Sequence, residues 1–321
     1  MVKKIALEEH FLCPGFLDYW NPTAADLPAA IRERALARLT DFGEQRLAVM
    51  DRAGIEHAVL GLAGPGVQAE RDTATAIRNA RAANDFLAGE IAKRPDRYSG
   101  LAHLAMQDAT AAANELERCM RELKFYGAMI NGHTNGQYLD EPALYPFWER
   151  AEALGALIYL HPADPPALFP ALAGYKGLRR ATWEWTLETG THALRLVFGG
   201  TFDRFPRVKL ALGHMGETLP FLLWRFDSRA GPDFYAVKLA KKPSDYIKDN
   251  MVVTTSGMCS AEPLACTLNA LGRDRLLFAS DYPFESAEEA AHFIDSTPLP
   301  DDVRADICFN NAAKLFGRNA S

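Results

Sequence analysis

Residues 5–10 read Ile5-Ala6-Leu7-Glu8-Glu9-His10, an apolar run that passes without a break into two carboxylates and an imidazole. The apolar residues predict a buried strand over 4–7. Successive side chains on a strand point to opposite faces, so Glu8 and His10 share one face and Glu9 takes the other. A carboxylate and an imidazole side by side at a strand's C-terminal end are either two metal ligands or a surface ion pair. The stretch alone leaves both readings open.

The same kind of short apolar run recurs seven more times, over residues 57–62, 98–101, 128–131, 156–160, 209–212, 252–255 and 276–279. Longer amphipathic segments lie between the runs and predict helices over 29–53, 73–94, 109–123, 144–154, 183–199, 219–227, 261–271 and 287–294. In the second of these, Ile77, Ala80, Ala83, Asn84, Leu87 and Ile91 recur every three or four positions. It closes on KRPDR, basic residues followed by proline, an ordinary helix stop. Eight strand-then-helix units in series predict an α/β fold, a (β/α)8 barrel of one domain over residues 1–321. The chain is longer than the roughly 250 residues typical of that fold, and insertions near 11–30 and 163–180 take up the surplus. Each follows a strand that carries a candidate ligand, as a loop over an active site does.

Of the 321 residues, 48% are hydrophobic and 24% charged, with a formal net charge of -6, which predicts a soluble globular protein. No basic face or arm appears, which argues against a nucleic-acid partner. No apolar run reaches the 18 residues a membrane span needs. The five cysteines, Cys13, Cys119, Cys259, Cys266 and Cys308, form no Cys-x-x-Cys pair. With no apolar leader segment visible, scattered thiols predict a cytoplasmic protein.

In such a barrel the residues just past each strand converge on one face. Strand one ends in Glu8 and His10, strand four in Asn131, strand five in His161, strand six in His214, strand seven in Ser256 and strand eight in Asp281. Three histidines and two carboxylates at one end of the barrel are not what packing asks for, since an unpaired buried charge is costly. One divalent cation, Zn²⁺ or Mn²⁺, satisfies them, and the ligands predicted are Glu8, His10, His161 and Asp281. His214 is left over as an acid/base, with Glu217 three positions on to orient its ring. Glu217 equally suits the N-terminus of a following helix, where a carboxylate is favoured. Phe284 either stacks on a ligand beside Asp281 or closes the barrel top. Arg225 either meets an anionic substrate or pairs with Asp227. His133 can reach the mouth, whereas His57, His103, His192 and His292 read as core or surface residues.

The motifs ALEEHF, RPDR, LHP, HALRL, LGHMGE, TTSG and LFASDYPFE, in this order, resemble the amidohydrolase-related hydroxybenzoate decarboxylases, the γ-resorcylate (2,6-dihydroxybenzoate) decarboxylases above all. The resemblance runs from residue 3 to about 316, and LGHMGE with SDYPFE is its most specific part. It implies a (β/α)8 fold with one divalent metal, and reversible, non-oxidative loss of CO₂ from an ortho-hydroxy aromatic acid, γ-resorcylate to resorcinol first among them. It implies Glu8, His10, His161 and Asp281 as ligands, His214 and Glu217 as a catalytic pair, and Asn131 beside the substrate. Arg225 would reach a neighbouring subunit's site in a homo-oligomer, tetramer or dimer. Asp281 is expected to protonate the ring carbon as well as bind metal. Hydrolytic amidohydrolases typically open with His-x-His, where this chain has Glu8 and His10. They also carry a lysine after strand four when binuclear, where this chain has Asn131. A metal-dependent hydrolase of a lactone or amide is the second reading, and a non-catalytic binding barrel the third.

Overall fold

Eight parallel strands alternate with helices in the computed structural model, which describes residues 2–317. The strands are β1 (Lys4–Phe11), β2 (Ile55–Leu62), β3 (Tyr98–Gly100), β4 (Gly127–Asn131), β5 (Leu157–His161), β6 (Lys209–Leu212), β7 (Met251–Thr254) and β8 (Leu276–Leu277). Neighbours in sequence are neighbours in space, in the orders β1-β2-β3 and β4-β5-β6-β7-β8. A parallel bridge between Ala102 and Ala128 joins β3 to β4. Leu7 N–H donates to the Phe278 carbonyl at 3.2 Å and ties the end of β8 back to β1. The ring of strands therefore closes, as the eightfold periodicity predicts.

Two apolar layers hold the ring. Ile5, Leu7, Val59, Leu101, Met129, Leu157, Tyr159, Ala211, Val252 and Leu277 fill the barrel interior. Ala312, Ala313 and Phe316 pack on this cluster, and the Phe316 ring stacks on Tyr126 at 4.0 Å. Because Tyr126 immediately precedes β4, the C-terminal segment plugs the N-terminal end of the barrel and leaves the opposite end for the site. A larger layer, including Leu60, Leu87, Leu116, Trp148, Leu196 and Ile294, lies between strands and helices.

β1 departs from plain alternation. Its pairing with β2 slips between Ala6 and Glu9, so the strand carries a bulge. Ile5 and Leu7 face the barrel interior, yet so do Glu8 and His10, while Ala6 packs in the outer layer. One extra residue reverses the parity and lets a single strand supply both the apolar core and the charged mouth. Glu9, on the outer face, accepts hydrogen bonds from Ser280 N–H and Oγ at 2.9 Å. Beside it the buried Arg46 donates to the His10 carbonyl at 2.6 Å.

The helix predicted over 29–53 is two helices, Ala29–Leu39 and Glu44–Ala53. Asp41 breaks it: its carboxylate accepts from Gly43 N–H at 3.2 Å and Arg46 N–H at 2.7 Å, a local alternative to continuing the helix. Helices at Leu17–Ala24 and Pro243–Asn250, unforeseen from periodicity, are also present.

Candidate active site

The C-terminal ends of the strands open into a chamber of about 1500 Å³. Asn131, His161, His214, Glu217, Asp281 and Phe284 all line it. Glu8, His10, His161 and Asp281 each offer one ligand-type atom, and these atoms lie within 4.8 Å of one another. His10 Nε2 stands 3.1 Å from Asp281 Oδ1, and His161 Nε2 stands 3.7 Å from Glu8 Oε1. Glu8 Oε1, both nitrogens of His10, His161 Nδ1 and Asp281 Oδ1 are buried without a hydrogen-bond partner. Orphaned polar atoms at this density cost several kcal/mol unless something else satisfies them. Two imidazoles and two carboxylates make a donor set suited to Zn²⁺ or Mn²⁺.

Glu8 is held from below. Tyr159 OH donates to Glu8 Oε2 and lies 2.9 Å from Thr254 Oγ1, which is itself 3.3 Å from Glu8 Oε2 and 2.9 Å from Ser256 Oγ. Oε2 is thus engaged by two hydroxyls, and Oε1 is turned toward His161 Nε2 and His214 Nε2. Sequence reading missed Tyr159 and Thr254, whose positions within β5 and β7 look like ordinary strand interior. The signal that could have found them is a hydroxyl at a barrel-facing strand position, one layer below the ligands.

His214 and Glu217 sit in an unusual turn. Residues 214–218 all have positive φ, between 52° and 82°, forming one left-handed turn between β6 and the helix Leu219–Ala230. Glu217 therefore lies just ahead of that helix, beside its N-cap Thr218, and not within its first turn. Left-handed backbone costs about 1–2 kcal/mol per residue for L-amino acids, so the turn needs outside support. Ser256 Oγ accepts from His214 N–H at 3.1 Å, and Thr267 Oγ1 donates to the Met215 carbonyl at 3.3 Å. The turn brings Glu217 Oε1 to 2.6 Å from His214 Nδ1. His214 Nε2 then faces the ligand group, 3.9 Å from Glu8 Oε1 and 3.7 Å from Asp281 Oδ2. Gly213 permits the close approach, since a Cβ there would sit 2.7 Å from Glu8 Oε2.

Proton affinities follow from this crowding. Burial opposes charge on His214, but Glu217 and Glu8 outweigh it and hold the imidazole well above its ordinary value. Burial and the neighbouring charge of His10 push His161 well below its ordinary value, toward the neutral form that ligates metal. Burial raises Glu8, against the charge of His214. Partial burial would raise Asp281 too, yet His10 and His214 beside it hold it below the usual carboxylate range.

The other predicted residues divide. Phe284 is partly exposed with its ring centroid 5.4 Å from that of His10, forming a chamber wall. Asn131 is buried; its Nδ2 donates to the Leu62 carbonyl at 3.2 Å and its Oδ1 has no partner. Arg225 lies on the exposed face of its helix and does not line the chamber of its own chain. Asp227 accepts from Ser244 N–H at 2.9 Å and Oγ at 2.7 Å, so the pairing of Arg225 with Asp227 is not formed. His133 lines the chamber with both ring nitrogens engaged, Nε2 with the Asp164 carbonyl at 3.0 Å and Nδ1 with Gly136 N–H at 3.0 Å. His103 and His192 are buried and accept from Val67 and Leu139 N–H. His57 bonds the Asp96 carbonyl and Ser99, and His292 is exposed.

The amidohydrolase family profile matches residues 19–318. A γ-resorcylate decarboxylase of Rhodococcus jostii is 41% identical, over 98% of this chain and 99% of its own. One from a Rhizobium species is 41% identical, over 98% of each chain. The crystal structure of the dihydroxybenzoic acid decarboxylase of a Polaromonas species, with manganese and the inhibitor 2-nitroresorcinol bound, superposes with a TM-score of 0.92 at 39% identity, covering 100% of this chain and 98% of that one. With an eight-stranded barrel, a four-residue donor cluster at its mouth and this likeness over nearly its whole length, the chain belongs to the amidohydrolase family, in the branch of the γ-resorcylate decarboxylases.

Proposed function

We propose that this protein is a metal-dependent carboxy-lyase that removes CO₂ from an ortho-hydroxybenzoate without an oxidant, with γ-resorcylate giving resorcinol as the leading reaction. The observation that carries this reading is the convergence of four orphaned ligand-type side chains beside a His214–Glu217 pair in one chamber. Glu8, His10, His161 and Asp281 would hold one divalent ion, Zn²⁺ or Mn²⁺. The manganese in the Polaromonas enzyme and the activities of the relatives support that choice.

Such an ion, when bound, supplies Lewis acidity toward substrate oxygens. The chain's own groups do the rest. Phe284 offers a face to the ring, and Asn131 Oδ1 an acceptor for a hydroxyl. His214, oriented by Glu217, would take the proton of the ortho hydroxyl at Nε2 once a bound cation offsets the carboxylates of Glu8 and Asp281 that otherwise hold its ring protonated. Asp281 Oδ2, 3.7 Å from that nitrogen, receives this proton from His214 and delivers it to the carboxyl-bearing carbon, which returns His214 to its neutral form. The bond from that carbon to the carboxyl group then breaks, its electron pair restores the aromatic ring, and CO₂ leaves. The phenolate regains its proton from solvent, so one proton is consumed overall. Direct loss of CO₂ would leave an aryl carbanion, which is why the ring carbon is protonated first.

One barrel over the whole chain is proposed as the catalytic unit, and it is proposed to associate with copies of itself. Phe221, Trp224, Phe234 and Tyr235 are 79%, 74%, 56% and 77% exposed around the helix that carries Arg225. Aromatic exposure of this kind marks an interaction face, and Arg225 would cross it to a neighbour's chamber. No helix among the described residues is long and apolar enough to cross a membrane. A cytoplasmic site is proposed because three of the five free thiols are buried, as a reducing compartment permits.

The test is to incubate metal-assayed protein with 2,6-dihydroxybenzoate and follow resorcinol and CO₂ with and without a chelator. Equimolar products that vanish with chelator are expected. Hydrolysis of a lactone, with no CO₂ from any ortho-hydroxybenzoate, would sink the proposal.

A further inference from the structure

The segments that follow β1 and β5 roof the chamber, and they meet at Arg180. Its Nε lies 3.2 and 3.3 Å from the two oxygens of Asp164, and its Nη2 lies 3.2 Å from Asp164 Oδ2. From the other side of the mouth, the Pro22 carbonyl accepts from Nη2 at 3.2 Å and the Thr23 carbonyl accepts from Nη1. Asp164 Oδ1 also accepts from the Trp185 indole N–H at 2.8 Å. Arg180, Asp164, Pro22, Thr23 and Trp185 all line the chamber. The backbone of Arg180 is left-handed, φ 51°, a conformation that an arginine adopts at a cost.

A strained residue whose guanidinium serves three acceptors on two separate segments is a tie between them. Its charge is met by Asp164 and, at 3.7 Å from Nη1, by Asp26, and its edges by carbonyls, which leaves it no free edge for a substrate carboxylate. Only a planar fork reaches all of these acceptors together; a lysine ammonium is a point charge and does not.

We propose that Arg180 is a positioning residue. By joining Pro22 and Thr23 to Asp164 it holds the Trp185 indole as a wall of the ring pocket, and so sets affinity and ring-size selectivity. Bond breaking stays with the residues at the barrel mouth. The inference rests on the decarboxylase reading for its kinetic test, and on none for its structural test.

The variants are R180K and D164N, compared with wild type in steady-state decarboxylation and in acrylamide quenching of tryptophan fluorescence. Loss of a charge-assisted tie predicts a rise in KM for 2,6-dihydroxybenzoate of about tenfold, with kcat within about twofold. The preference for that acid over the bicyclic 2-hydroxy-1-naphthoate should shrink by a similar factor, and quenching should increase. The double variant should be no worse than either single one, because both remove the same link. An R180K enzyme indistinguishable from wild type would overturn the proposal, as would a fall in kcat at unchanged KM and selectivity. If wild type releases no CO₂ from any ortho-hydroxybenzoate, the decarboxylase reading fails, and the quenching comparison still decides whether the tie exists.

Discussion

At the scale of single residues, the site is defined by atoms with nothing to bond. Glu8 illustrates how the chain arranges this: Tyr159 and Thr254 consume one carboxylate oxygen, so the other is aimed by default. Groups that orient a metal ligand from behind typically matter by 10–100-fold in affinity. Tyr159→Phe should therefore weaken metal binding by about tenfold or more while the fold persists, measured by competition with a chromophoric chelator. Replacing Glu8 and His10 together by alanine removes two of the four proposed ligands, and metal analysis of that variant should find substoichiometric ion. Full occupancy in the double variant would mean that the ion lies elsewhere.

At the scale of elements, the left-handed turn between β6 and the helix Leu219–Ala230 is where backbone conformation becomes chemistry. Five positive-φ residues bring the Glu217 carboxylate onto Nδ1 of the ring while Nε2 faces the carboxylates of Glu8 and Asp281. Gly216 is the residue at which this is most exposed to test. Its φ is +82°, and a Cβ would meet Val253 Cγ1 at 2.9 Å and Pro220 Cδ at 3.2 Å. Gly216→Ala should cost about 2–4 kcal/mol, adding the left-handed penalty to overpacking. Denaturant titration measures the loss, and activity should fall with it as His214 and Glu217 move. An alanine variant of unchanged stability would show that the turn has an easier alternative.

At the scale of the whole molecule, buried histidines away from the site couple folding to pH. Burial pushes His103 and His192 down to about 3 in the folded protein. An unfolded histidine binds its proton near pH 6.5, so between pH 6.5 and 3 the unfolded chain holds more protons. The stability these neutral rings contribute is complete above the unfolded value and is lost as pH falls, by up to about 1.4 kcal/mol per pH unit for each ring. Unfolding free energies measured between pH 7 and 5 carry this slope summed with the opposite one from Glu9, which burial raises to about 7. His192→Gln, which keeps an acceptor for Leu139 N–H, should make it shallower by about one proton; an unchanged slope would show that His192 does not carry it.

Much of this protein was legible in the order of its residues. Eight apolar runs with helical segments between them are local patterns, and local periodicity fixes strand and helix wherever burial on one face is consistent. Once the strands are placed, the residues after them follow, which is how Glu8, His10, His161, His214 and Asp281 could be named as a group. What only the tertiary structure decided depends on contacts between distant segments. The bulge that puts Leu7 and Glu8 on one side of β1 arises from pairing with β2, and alternation along one strand cannot report it. Tyr159 matters because β5 lies within reach of Glu8 on β1, 151 positions away in the chain. Arg180 matters because two loops that sequence reading could only mark as insertions close on it from opposite sides. Arg225 turns outward because its helix face meets no other part of its own chain's chamber. Side-chain type and spacing set what chemistry is available; packing across the barrel sets which atoms are left unpaired to perform it.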